Sequence, residues 1–175
     1  ARARRAARSI RNEDYSCRAF FDDCCAAFPE LSLYVQADDG NPDVLTSGRS
    51  CDDEYQRTVG ALFAFYWLMR LEGTGAQAFA YGVGGPDWSP LSQSSPSPVR
   101  STDELARRLV FLQQAEWTLF QDVFVAAGME DPDRVLALLV VTAIHDIMKI
   151  TTLLPVVEPG CGSFHGYTPG DEISD

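Results

Sequence analysis

The stretch that decides the fold is "MEDPDRVLALLVVTAIHDIMKITTLLP", Met129 to Pro155. Its opening carries helix-start chemistry: Asp131 stands as N-cap, Pro132 falls at the first helical position, and Asp133 sits in the first turn. The apolar run that follows is too long for a strand, so a helix over about 131–154 is expected, ahead of Pro155. Just upstream, Ser101 and Glu104 form a capping-box pattern, which predicts a helix over about 101–127 stopped by Gly128. Only two or three residues separate the two helices, so they are expected to pair as an antiparallel hairpin.

Outward from the hairpin the chain also reads as helical. Residues 3–28 form an expected helix ending before Pro29, and Ser50 with Asp53 opens another over about 51–72, closed by Gly73. Tyr55, Val59, Leu62, Phe63, Tyr66 and Met69 supply the stripe of the second. "QADDGNPDVLTSGRS" (36–50) reads as a loop. Residues 73–100 are Gly-, Ser- and Pro-rich, without sustained period, and read as a long solvated linker on which Trp88 docks locally. "GVGGP" within it lacks the Lys and following helix of a phosphate loop. The tail, 155–175, is Gly- and Pro-rich and carries His165. The expected fold is all-α: one helical domain, with the hairpin at the centre of a bundle.

Composition bounds the function. With 175 residues and an apolar fraction of 46%, the chain is long and apolar enough to build a core. Residues 1–18 hold six arginines against Glu13 and Asp14, while the rest carries most of the negative charge that brings the total to −11. An acidic body disfavours general nucleic-acid binding, which depends on neutralising phosphates. His145, Asp146 and Lys149 interrupt the most apolar segment, where each charge would cost about 2.5–3.5 kcal/mol at mid-bilayer, so no membrane span is expected. The Arg-rich start, "ARARRAARSIRN", is expected to be a basic first helix, an organelle presequence being the alternative. Five cysteines without CxxC or finger spacing read as reduced thiols of a cytoplasmic protein.

The polar residues of the decisive stretch need a reason. Projected at about 100° per residue, Thr142, His145, Asp146, Lys149 and Thr152 share an arc of about 120°, yet the same arc one and two turns earlier is apolar. That is a patch, which suits a site better than a solvent face. On the partner helix Glu116 lies between Leu112 and Phe120 on an apolar stripe, where a carboxylate needs a cation or donor. Glu116 is twelve residues before Gly128, and His145 is fourteen after Asp131, so in a hairpin both stand about 18–21 Å from the turn. Glu116, His145 and Asp146 are therefore the candidate metal ligands, with Lys149 beside them to meet an anion. Mixed nitrogen and oxygen donors suit Mn, Fe or Zn better than Ca.

"LVVTAIHDIMKI" (Leu139 to Ile150) resembles the core motif of the HD-domain metal-dependent phosphohydrolases, an all-α superfamily. The resemblance covers about residues 101–150 and implies that His145 and Asp146 bind divalent metal and that Lys149 matches the family's following Lys. It also implies hydrolysis of a phosphate ester, often of a nucleotide, as the reaction, with a phosphate-containing small molecule as partner. The chain departs from the pattern: no His precedes His145, Met148 stands where Gly is usual, and the closing Asp is not found by Asp175. On the resemblance, either the chain is a fragment of a longer domain or the site is degenerate. The alternative is a non-catalytic helical interaction protein whose polar cluster is structural.

Overall fold

The computed structural model describes residues 1–36, 51–96, 100–147 and 154–173, with the side chains of 34–36 and 51–52 excepted. Among them are eight helices: α1 (Arg2–Ser9), α2 (Cys17–Ala27), α3 (Leu31–Gln36), α4 (Cys51–Leu68), α5 (Gly75–Tyr81), α6 (Thr102–Gln114), α7 (Trp117–Ala126) and α8 (Pro132–Ile144). One two-stranded antiparallel sheet, β1 (Val83–Gly84) with β2 (Ser89–Pro90), completes the regular structure. The fold is thus mostly helical. The chain divides into two compact units, one of residues 1–27 with 61–142 and the other of 28–60 with 143–175.

In the first unit the expected 3–28 helix is two helices. Ser16 is the reason for the restart, its Oγ accepting from the Ala19 amide at 3.1 Å as an N-cap does. α1 and α2 are clamped through Asp23, fully buried on α2. Its carboxylate accepts from Arg2 Nη1 at 2.9 Å, Arg5 Nε at 2.6 Å and the Tyr15 hydroxyl at 2.7 Å. Burial alone would raise the Asp23 pKa, but these three donors outweigh it and hold the carboxyl below its usual range. Beneath the clamp, Phe20 packs on Phe65 and Tyr66, and the Tyr66 hydroxyl donates to the Tyr15 carbonyl.

The expected stripe of α4 is half correct. Leu62, Tyr66 and Met69 are buried, but Tyr55, Val59 and Phe63 are only half-buried. After α4 the chain reverses tightly, and the Arg70 carbonyl accepts from both Gly73 and Gly75. A Cβ at Gly75 would lie 2.2 Å from the Trp67 carbonyl oxygen, so no side chain fits there.

Residues 73–100, expected as linker, are a correction. They contain α5, whose Ala78, Ala80 and Tyr81 are buried, and the β1–β2 hairpin. Small residues let α5 approach its neighbours closely, a signal that the Gly and Pro content on either side conceals. Trp88 does dock, its ring 5.3 Å from that of Phe21.

The expected 101–127 helix is also two. Ser101 caps α6 as foreseen, accepting from the Glu104 amide at 3.2 Å. At Ala115 the backbone turns extended (ψ 133°), and the Trp117 indole donates to the Leu112 carbonyl at 2.8 Å, taking an acceptor the helix end leaves open. α7 closes as the sequence predicts: Gly128 takes φ +67°, Met129 N bonds Phe124 O, and Gly128 N bonds Val125 O, a Schellman pair. Asp131 caps α8 through Oδ1 to the Asp133 amide at 2.9 Å.

α8 ends at Ile144, ten residues before the expected stop at 154. Residues 145–146 form a turn, and 148–153 lie outside the described residues. In the second unit, residues 154–173 are tied by isolated bridges, Val156 to Glu172 and Phe164 to Tyr167. His165 (φ 45°) and Gly166 (φ 99°) make the two-residue turn between the latter pair. No described helix is long and apolar enough to cross a membrane.

Candidate metal centre

His145 and Asp146 follow directly on the last turn of α8, where Ala143 is fully buried. Burial of that end carries Asp146 inward with it, leaving the residue 6% exposed, whereas the His145 side chain remains 43% exposed. The imidazole Nε2 lies 3.1 Å from Asp146 Oδ2. A carboxylate so placed requires a donor or a cation, and the imidazole stands at ion-pair distance from Oδ2 without the geometry of a hydrogen bond to it. The same spacing fits the second: adjacent ligands of an octahedral ion with bonds of about 2.1 Å lie about 3 Å apart. One nitrogen and one oxygen donor are thus side by side at the mouth of a buried position.

The other expected site residues fare differently. Glu116 is exposed, at the N-cap of α7, where its side chain makes no capping bond. It does not sit on a core stripe, because the break at Ala115 interrupts the helix and no residue of α6 or α7 is buried. The argument that its charge demands a cation therefore falls. Lys149 and Thr152 lie outside the described residues. His165 is exposed at its turn, and Asp171 serves the separate 168–171 turn, Oδ2 accepting from the Thr168 amide and hydroxyl. Among the described residues no group of three or more His, Cys, Asp and Glu side chains is gathered as a metal site requires.

Two polar residues of the second unit escaped the sequence reading. Glu54 and Thr58 on α4 are both fully buried. Glu54 Oε2 is 3.7 Å from Arg57 Nε, a long ion pair on one helix. Their i,i+4 spacing continues the buried line of Leu62, Phe65 and Tyr66, and that spacing was the available signal. Placing Tyr55 and Val59 on the inward stripe had hidden it.

No protein-family model, curated protein or solved structure matches the chain.

Proposed function

We propose that the chain is an HD-domain-like protein whose His145 and Asp146 are ligands for a divalent cation, serving hydrolysis of a phosphate ester. The observation that carries this reading is the 3.1 Å approach of an imidazole nitrogen to a buried carboxylate, in the motif that resembles the family's metal-binding pair. Asp146 contributes fixed negative charge in a place sheltered from water, where it attracts a cation more strongly than at the surface. His145, neutral, contributes a nitrogen lone pair once its contact with Asp146 is released. A bound cation there would polarise a phosphoryl oxygen and lower the pKa of water. Lys149 is the expected contact for the anionic substrate. Glu116, exposed at the start of α7, is not retained as a ligand. Mn, Fe and Zn remain the metals that suit the donors.

The test is hydrolysis of p-nitrophenyl phosphate and bis(p-nitrophenyl) phosphate by the chain with Mn²⁺, alongside Asp146→Asn. Metal-dependent turnover lost in the variant supports the reading. Turnover equal in both, or none in either, counts against catalysis by this chain.

The non-catalytic interaction protein is a second reading, favoured by one observation. Val110, Phe111, Leu119, Phe120, Val123 and Val125 on α6 and α7 are each more than 40% exposed. A second copy of the chain is the occupant to test, by sedimentation over a range of concentrations. A mass that rises in the wild type and not in Val123→Asp supports it; a constant monomer mass counts against it.

A further inference from the structure

In the first unit, Arg11, Arg70, Glu13 and Glu72 line one cleft of about 420 Å³. Arg11 and Glu72 also border an adjoining cleft of about 210 Å³, walled in part by Phe124 and Val125. Both guanidiniums are held by neutral acceptors. Arg11 donates to the Met129 carbonyl at 3.0 Å and to Met69 Sδ at 3.8 Å. Arg70 donates to the Ile10 and Asn12 carbonyls at 2.7 and 2.8 Å, with its guanidinium over the Tyr66 ring. Elsewhere in this unit arginines find carboxylates: Arg2 and Arg5 meet Asp23, and Arg108 meets Glu104. Here, by contrast, neither Glu13 nor Glu72 comes within 4.0 Å of either guanidinium.

The cleft thus presents two positioned cations and two carboxylates that lie beyond ion-pair distance of each other, opening onto a recess with an apolar wall of Leu68, Leu71, Phe124 and Val125 and polar Gln121 and Glu130 at its edge. A simple anion meets the carboxylates, and a simple cation meets the arginines. A ligand carrying both charges answers both. We propose that this cleft binds a zwitterion with an apolar group, of the class of a free apolar amino acid. Its carboxylate pairs with the guanidiniums of Arg11 and Arg70, which offer planar donors already fixed in place. Its ammonium pairs with Glu13 and Glu72, and its side chain enters the recess beside Phe124 and Val125. The volumes suit a ligand of that size.

Calorimetric titration of the whole chain with L-phenylalanine, N-acetyl-L-phenylalanine and L-phenylalaninamide tests this. Phenylalanine is expected to bind, and each capped form about tenfold more weakly, as loss of one charge-assisted contact implies. Arg11→Gln should lower affinity for phenylalanine by a similar factor, while Arg4→Gln, equal in charge change, should not. Because Arg11 also braces the Met129 carbonyl, Glu72→Gln provides a second variant at an exposed side chain. It should weaken phenylalanine binding and leave the N-acetyl form unaffected. Equal affinity for phenylalanine and its N-acetyl form, wild-type affinity in Glu72→Gln, or no binding up to about 10 mM would each overturn the proposal.

Discussion

Asp23 shows how much one side chain can organise. It is fully buried on α2 and accepts from two donors on α1 and one in the turn between the helices. Asp23→Asn keeps the volume but removes the charge, and we expect a loss of about 2–3 kcal/mol, measured by urea denaturation. The sign of the pH effect follows from its depressed pKa. The folded state binds its proton less readily than the unfolded chain, so the contribution is complete above the unfolded carboxyl range, near 4. It falls away as pH drops through the lower folded value. The acid limb of stability should therefore flatten in Asp23→Asn, and an unchanged limb would remove Asp23 from the account. Cysteines separate by the same logic of burial. Cys17 is buried and its thiol is pushed up to about 12, and Cys24 is raised also, chiefly by desolvation. Cys25 and Cys161 are exposed. Brief iodoacetamide treatment of native protein should label Cys25 and Cys161 and spare Cys17 and Cys24, as peptide mass mapping would reveal.

Among the elements, start and stop signals were the most legible part of the sequence. Ser101, Asp131 with Pro132, and Gly128 do what their side chains and backbone freedom predict, because caps depend on a few adjacent residues. Interior breaks were not legible. Ala115 and Glu116 are good helix formers, and the break between α6 and α7 depends on where the Trp117 indole finds its acceptor. Trp117→Phe removes that donor, and a cost of about 1 kcal/mol is expected by denaturant titration. Likewise α5 was concealed by neighbouring glycines and prolines, although its alanines are what permit close packing. Gly75→Ala would drive a methyl group into the Trp67 carbonyl, and we expect destabilisation of about 3 kcal/mol in the same measurement. A near-neutral result would show that Gly75 does not approach the Trp67 carbonyl this closely. Limited proteolysis should leave 75–90 intact, since α5 buries three of its residues beyond the first.

At the scale of the whole molecule, helical class was readable from periodicity, whereas division into two units was not. α4 and α8 each contribute to both units, so no linker composition marks the boundary. The candidate site divides in the same way. Adjacent residues were legible: His145 and Asp146 do meet, because they are neighbours at a buried helix end. The long-range partner was not, since placing Glu116 required a continuous helix that Ala115 interrupts. The central claim, that His145 and Asp146 bind a divalent cation, is most directly tested by calorimetric titration of Mn²⁺ into the chain and into Asp146→Asn. Circular dichroism of both checks that helical content is equal. The account predicts saturable binding in the wild type that weakens at least about tenfold in the variant. Equal binding in the two proteins, or no saturable binding in the wild type, would contradict it and leave the pair a structural contact.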